Sequence, residues 1–186
     1  MRHATRSFQH GLSLVESVVT LGVVAGALQL GLPALDDMLQ ATALSSASQD
    51  LLMDLHLARA EALKRNRRVA MCKSADGVQC TTAGGWEQGW LVFHDENNNG
   101  RLDPGEDLIA RREALDATLR LRGNQSVANY ISYTALGASK LTGGGFQAGT
   151  LTLCRSSPAA TPARQVILNA VGRPRVDKGT VASCEG

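Results

Sequence analysis

The sequence has few of the residues that form aromatic cores and enzyme active sites. Its 186 residues include two Trp, two Tyr and three Phe, although 44% of the chain is hydrophobic. We therefore expect an aliphatic core of modest size. GxSxG, HExxH and P-loop motifs are absent, and the four histidines are scattered along the chain. This composition predicts one soluble domain plus a helix, and it does not predict an enzyme.

The sequence also lacks the overall positive charge typical of nucleic-acid-binding domains. Without the two arginines in its first eleven residues, the chain has 17 basic and 17 acidic residues. The cations are nevertheless concentrated locally, since residues 108–178 contain ten Lys or Arg against three acids. Strand alternation would place Arg120 with Arg122 on one face, and it would do the same for Arg173 and Arg175. We therefore expect a local cationic patch that can bind phosphates.

A long apolar segment contains a single charge. Glu16 is the only formally charged residue in positions 12–32. A helix of this length is about 30 Å long, enough to cross the hydrocarbon core of a bilayer. A carboxylate in lipid costs roughly 2.5 kcal/mol or more, so Glu16 is expected to have a function that depends on a partner. The alternative is an ordinary signal anchor in which Glu16 lies at headgroup level.

The residues before this segment predict its orientation and processing. Residues 1–11 carry two arginines and no acid, so they should stay cytoplasmic and send the rest of the chain outward. A secretory signal is cut after its apolar core, whereas Gly11 precedes the core here. A cut after Gly11 would make Leu12 the new N-terminus. The amine of a neighbouring subunit could then pair with Glu16 during assembly.

All four cysteines follow the apolar segment. An even number on the predicted outer side of the membrane suggests two disulfides. The spacing favours a bridge between Cys72 and Cys80, which closes a short loop. It also favours a bridge between Cys154 and Cys184, which ties back the C-terminal tail. A metal site is the competing interpretation, but the sequence contains no CxxC pair.

The sequence periodicity changes from helix to strand after the apolar segment. Beyond Pro33, apolar residues recur every three or four positions and predict an amphipathic helix over residues 33–66 that packs on the chain's own domain. Residues 67–186 alternate short β-rich segments with glycine-rich turns, as in an antiparallel sandwich. The expected strands are Val69 to Lys73, Trp90 to His94, Leu108 to Arg112, Thr118 to Arg122, Tyr130 to Tyr133, Thr150 to Arg155, Val166 to Asn169 and Arg175 to Val176.

One loop between two predicted strands resembles a calcium-binding loop. The residues at positions 1, 3, 5, 6, 9 and 12 of the EF-hand pattern are Asp95, Asn97, Asn99, Gly100, Asp103 and Glu106. Oxygen-bearing side chains at this spacing could hold a structural Ca²⁺. However, the flanking segments are predicted strands, and Asn and Gly clusters are also ordinary hairpin residues. Calcium is thus one of two interpretations of this loop, and no other cofactor is expected.

The N-terminal residues resemble the class III leader and first helix of type IV pilins and type II secretion pseudopilins. The match consists of Gly11 before the cut, Leu12 as the mature N-terminus, Glu16 as its fifth residue and Pro33 as its twenty-second. The resemblance implies cleavage after Gly11 and methylation of the new amine by a prepilin peptidase. It also implies a pilin-like α+β fold, in which a long N-terminal helix, kinked at Pro33, packs on an antiparallel β-sheet or sandwich domain. The implied segments are a leader (1–11), a transmembrane and filament-core helix (12–32), an amphipathic helix (33–66) and a β-rich globular domain (67–186).

Three further segments, residues 58–65, 89–93 and 171–175, resemble the FimT/GspH branch of minor pilins and pseudopilins. In FimT-like members active in natural transformation, a C-terminal GRxR motif is implicated in DNA binding, and Gly172, Arg173 and Arg175 match it. Together with the local cations, the resemblance predicts a DNA-binding patch. Its predicted members are Gly172, Arg173, Arg175, Lys178, Arg164, Arg155, Arg120 and Arg122.

Two functions of different classes follow from these resemblances. The first is a minor type IV pilin whose basic patch binds double-stranded DNA without sequence preference, for uptake in natural transformation. The second is a structural minor pseudopilin of a type II secretion system, or a pilus-priming subunit, without DNA binding. The expected partners are other pilins or pseudopilins and the prepilin peptidase. The expected location is the inner membrane, as a single-pass protein with a periplasmic domain, and then a pilus or pseudopilus that can reach the cell surface.

Overall fold

A single long helix begins the described part of the chain. The computed structural model describes residues 13–185, and for residues 27–34, 36 and 37 it describes the backbone alone. Helix α1 extends over Leu14–Arg65, and the chain divides after Ala41 into two compact units. The backbone stays helical through Pro33, whose side chain is outside the described set, so the kink remains a prediction.

The first unit contains the N-terminal part of α1. Ser13 caps the helix, because its Oγ accepts a hydrogen bond from the Glu16 backbone N–H at 3.2 Å. The apolar side chains described in this unit are exposed, namely Leu14, Val15, Val18, Val19, Leu21, Val23, Val24, Leu35, Met38 and Leu39. Among the described residues, no helix combines the length and hydropathy needed to cross a membrane. The predicted span over residues 12–32 includes Leu12 and residues 27–32, whose side chains are not described, and it stays a prediction.

The second unit contains two antiparallel sheets of four strands each within the described residues. Their strands are β1 (Val69–Lys73), β2 (Trp90–His94), β3 (Leu108–Arg112), β4 (Leu119–Gly123), β5 (Tyr130–Tyr133), β6 (Gly149–Arg155), β7 (Thr161–Leu168) and β8 (Pro174–Val181). The strand order is β3-β2-β1-β5 in the first sheet and β4-β6-β7-β8 in the second. All eight predicted strands are present, and β1, β2, β3 and β5 have the predicted bounds.

Strands β7 and β8 are longer than the sequence predicted. They pair over eight residues each, from Thr161 opposite Val181 to Leu168 opposite Pro174. The additional paired residues include polar ones such as Gln165 and Asp177, which gave no hydrophobic signal for a strand. Their backbone groups bond to the neighbouring strand whatever the side chain, so pairing overrides the local pattern.

The core of the second unit lies between the C-terminal part of α1 and the two sheets. The fully buried helix residues recur at Leu51, Leu55, Ala58 and Ala62, on one face of the helix. They belong to one hydrophobic cluster with residues of both sheets, including Met71, Trp90, Val92, Leu121, Ile131, Leu151, Leu153 and Val166. The prediction that the apolar face of the helix packs on the chain's own domain is confirmed.

Candidate functional site

The GRxR residues lie at the turn that joins β7 to β8. The turn is closed by a hydrogen bond from Gly172 N to the carbonyl of Asn169 at 2.9 Å. The side-chain oxygen of Asn169 accepts a second bond, from Arg173 N at 2.8 Å. Gly172 has a φ of 78°, a left-handed conformation that favours glycine. The glycine of the motif is therefore required by the backbone of this turn.

The Gly172 turn packs closely against a second turn that includes Gly137. A Cβ added at Gly172 would lie 2.3 Å from the carbonyl oxygen of Gly137. The same oxygen accepts a hydrogen bond from Arg59 Nε, on α1, at 2.9 Å. Ser139 Oγ lies 3.0 Å from the carbonyl oxygen of Asn169 and adds a polar contact between the two turns. The GRxR turn is thus connected to the helix through the Gly137 turn.

Arg173 and Arg175 differ in their surroundings although both are exposed. Arg175 is paired with Asp177 two residues further along β8, with Nη2 and Oδ2 3.1 Å apart. Arg173 precedes the first residue of β8, and its guanidinium has no hydrogen-bond or ion-pair partner among residues 13–185. Arg173 is therefore the member of the motif whose charge is available to a ligand.

The strand register divides the other predicted cations between two faces of the second sheet. Arg120 and Arg122 of β4 lie on the face that also carries Arg175. β4 and β8 are opposite edges of this sheet, three strand spacings or about 14 Å apart. The guanidinium of Arg122 is paired with Glu87, with Nη2 and Oε1 3.2 Å apart. The predicted cations on this face therefore lie on two opposite edge strands of the sheet.

A second set of cations lies on the opposite face, which also carries the buried Leu153. Arg164 of β7 is directly opposite Lys178 of β8, and Leu153 of β6 is opposite Arg164. Arg155 lies two residues beyond Leu153 and hence on the same face. Like charges directly opposite each other in a sheet repel, so an anion between Arg164 and Lys178 would stabilise the pair. The structure thus brings Arg155, Arg164 and Lys178 together and separates them from Arg175.

The predicted calcium loop is held by hydrogen bonds among its own residues. The buried Asp95 carboxylate accepts bonds from the backbone N–H groups of Asn99 (3.0 Å) and Gly100 (3.1 Å). Asp103 accepts bonds from the side-chain amides of Asn97 (2.7 Å) and Asn99 (2.6 Å), which lower the pKa of its carboxyl. Burial instead raises the pKa of Asp95.

The remaining acid of the loop also bonds to the backbone. Glu106 accepts hydrogen bonds from the backbone N–H groups of Glu96 (2.8 Å) and Asp103 (2.9 Å). Within residues 13–185, no three His, Cys, Asp or Glu side chains are arranged to hold a metal ion. The calcium interpretation of this loop therefore gains no support from the geometry and stays a prediction.

The two predicted disulfides are confirmed. Cys72 bonds to Cys80 across eight residues, and Cys154 bonds to Cys184 across thirty. The second bond fixes the C-terminal tail to β6, on the face that carries Arg120, which is opposite Cys154 in the register.

The processing residues are only partly within the described chain. Gly11 and Leu12 lie outside the described residues. Glu16 lies in the first turn of α1 with its side chain exposed, in the unit whose described apolar side chains are also exposed. The roles predicted for Gly11, Leu12, Glu16 and Pro33 remain predictions.

Sequence reasoning missed the residues that support or neutralise the cationic groups. Asn169 and Gly137 hold the GRxR turn, and Glu87 and Asp177 pair with two of the predicted cations. Asn169 and Gly137 could have been recognised as turn residues. Glu87 is distant from Arg122 in the sequence, so no local pattern could have identified that pair.

Comparison with known proteins assigns the chain to a family. Residues 47–172 match the family model described as type II transport protein GspH, and the chain belongs to this family. It is 32% identical over 173 residues to the pilin-like protein PilA1 of Thermus thermophilus, covering 91% of this chain and 99% of the relative. The chain is thus a structural subunit of the minor pilin and pseudopilin class rather than an enzyme, and membership implies association with other pilins.

A solved structure shares the fold, and a second one is similar to part of the chain. The type IV minor pilin FimU of Pseudomonas aeruginosa superposes with a TM-score of 0.53 at 20% identity, covering 76% of this chain and 94% of FimU. The minor pseudopilin EpsH of the Vibrio cholerae type II secretion system gives a TM-score of 0.49 at 13% identity, covering 72% of this chain and 95% of EpsH. The likeness to FimU bears out the pilin-like α+β fold predicted from the sequence.

Proposed function

We propose that this chain is a minor type IV pilin that binds the backbone of double-stranded DNA for uptake in natural transformation. The observation that carries the proposal is Arg173, an exposed guanidinium that has no partner within residues 13–185 and lies on a closely packed turn. A guanidinium in this position binds a phosphate with two parallel hydrogen bonds and does not need to break an ion pair first. Phosphate contacts of this kind carry no sequence information, so binding is non-specific.

The second sheet offers further phosphate contacts, five residues along β8 from Arg173. Arg164 and Lys178 are opposed like charges, and a phosphate between them relieves their repulsion. Arg175 can bind a phosphate after its ion pair with Asp177 breaks. Breaking this exposed pair costs about 0–1 kcal/mol. The predicted residues thus differ in how readily they bind a phosphate. Arg173 binds most readily, and the paired arginines Arg122 and Arg175 bind least readily.

The proposal includes processing and assembly. A prepilin peptidase cleaves after Gly11 and methylates the amine of Leu12. The mature chain is held in the inner membrane by residues 12–32 with its globular domain in the periplasm. In the filament, Glu16 pairs with the N-terminal amine of a neighbouring pilin, which removes two charges from an apolar environment. The exposed apolar side chains of the first unit support this part of the proposal, because they are buried once helices pack together.

The test is a salt titration of DNA binding. A fragment beginning at Thr42, which keeps the buried core, is titrated with duplex DNA at several salt concentrations. Affinity should fall linearly with salt on logarithmic axes, with a slope of about −0.9 per phosphate neutralised. Arg173→Gln should reduce the magnitude of that slope by about 1 and weaken binding to all sequences alike. Arg111→Gln, an exposed arginine on the first sheet, is the control and should leave the slope unchanged.

The alternative is a structural pseudopilin or priming subunit without DNA binding. Two observations favour it: Arg122 and Arg175 already have acidic partners, and the family model is described as a type II transport protein. If the fragment binds no DNA at low salt, or if Arg111→Gln and Arg173→Gln weaken binding equally, the DNA proposal fails and this alternative stands.

A further inference from the structure

A surface cavity of about 380 Å³ lies beside the Cys72–Cys80 disulfide. It is bounded by the disulfide and the two residues that follow Cys80, by Arg101 in the loop after β2, and by Tyr130 at the start of β5. None of the predicted DNA-binding residues lines it. Its volume is at the lower end of the range of small-molecule sites in proteins, so one or two rings fit.

The walls of the cavity are fixed by contacts around it. Lys73 Nζ donates hydrogen bonds to the carbonyls of Thr82 (3.0 Å) and Gly84 (2.8 Å), which hold the segment after Cys80 in place. A Cβ added at Gly100, whose φ is 72°, would lie 2.9 Å from Tyr130 Cδ2, so the aromatic ring packs against the backbone there. The walls of the cavity are therefore already ordered, so a ligand binds without a large entropic cost for ordering them.

Three of the polar side chains that line the cavity are available to a ligand. The side chains of Thr82, Asn129 and Arg101 have no hydrogen-bond partner among residues 13–185. No acidic residue lines the cavity. Asp103, which Arg101 influences electrostatically, is already bonded to two asparagine amides. The cavity thus presents one positive charge, an amide and a hydroxyl beside an apolar wall.

We propose that this cavity binds a small acidic sugar, a single polyol ring that carries one carboxylate. The Arg101 guanidinium binds the carboxylate through charge-assisted hydrogen bonds. Thr82 and Asn129 bind ring hydroxyls, since a hydroxyl and an amide can each donate and accept. The Tyr130 ring and the disulfide contact the less polar face of the sugar. This proposal does not depend on DNA binding.

The test is a saturation-transfer NMR titration of the full-length chain, in a detergent without a sugar headgroup, with glucuronate as the probe. Saturation transfer to glucuronate is expected, and Arg101→Gln should weaken binding at least tenfold, by about 1.4 kcal/mol or more. Arg173→Gln is the matched control and should leave glucuronate binding unchanged. Conversely, Arg101→Gln should leave DNA binding unchanged, so the two proposals can fail separately.

Two further probes define the chemistry. Glucose lacks the carboxylate and should bind at least tenfold more weakly than glucuronate. Acetate lacks the ring and should compete only at concentrations at least tenfold higher. No saturation transfer to glucuronate, equal binding of glucose, or equal competition by acetate would overturn the assignment.

Discussion

Asp54 on α1 and Arg112 on β3 form an ion pair with two hydrogen bonds. Arg112 Nε and Nη2 donate to Oδ2 and Oδ1 of Asp54, each at 3.0 Å, and Trp90 Nε1 donates to Oδ2 at 2.9 Å. The Asp54 side chain is 8% exposed and that of Arg112 is 39% exposed. Hydrogen bonding to Asp54 raises the pKa of Arg112. The helix and the first sheet are thus joined by a buried carboxylate with three donors.

Removal of Arg112 should destabilise the domain. Arg112→Ala leaves the buried Asp54 carboxylate with the Trp90 donor alone, and we expect a loss of about 1–2 kcal/mol in the free energy of unfolding. Arg111→Ala, at the exposed neighbouring position, should change it by less than about 0.5 kcal/mol. Urea unfolding followed by tryptophan fluorescence measures both. Equal losses in the two variants would show that the pair does not stabilise the helix on the sheet.

A side chain at Gly172 should disrupt the GRxR turn. Gly172→Ala places a Cβ against the Gly137 carbonyl and also strains a positive φ, so we expect a loss of about 2–3 kcal/mol. Gly144→Ala is the matched control, because Gly144 has a similar φ of 87° but nothing within 4 Å of an added Cβ. It should cost only the backbone strain, about 1 kcal/mol. Thermal unfolding of the two variants measures the difference, and equal costs would contradict the close packing of the two turns.

The sequence predicted the fold well where the signal was local. The three- and four-residue spacing of apolar residues predicted the helix face on which Leu51, Leu55 and Ala58 are buried, and cysteine spacing identified both disulfides. The cationic patch was predicted less well, because strand alternation assigns faces within one strand only. The opposition of Arg164 and Lys178, and their separation from Arg175, depend on the register between strands, which no local pattern carries.

Asp54 illustrates a second limit of the sequence. Its position among polar helix residues gave no sign that it is buried, because its partners Arg112 and Trp90 lie far away along the chain. Long-range pairs of this kind become visible only when the sheet is assembled. The same holds for Arg59, which reaches the Gly137 turn across 78 residues.

Asp76 should make the stability of the folded domain decrease at acidic pH. Hydrogen bonds from the backbone N–H groups of Gln79 and Val78 lower the pKa of its carboxyl from 3.8 to about 2. A carboxyl whose pKa is lower in the folded than in the unfolded state stabilises the protein at pH values above the unfolded-state pKa. This contribution is lost as the pH falls towards the pKa of the folded state.

The Asp76→Asn variant isolates this contribution. The difference in unfolding free energy between the native chain and Asp76→Asn should be largest near about pH 5 and should shrink towards about pH 2. Urea unfolding at a series of pH values measures it. A difference that stays constant over this range would contradict the assigned hydrogen bonds.

The identity of the mature N-terminus tests the central claim, that this chain is processed and assembled as a pilin. Mass spectrometry of the protein isolated from its native membrane should find a chain that begins at Leu12 with a methylated amine. A mature protein that begins at Met1, or that has lost the apolar segment as well, would contradict the account.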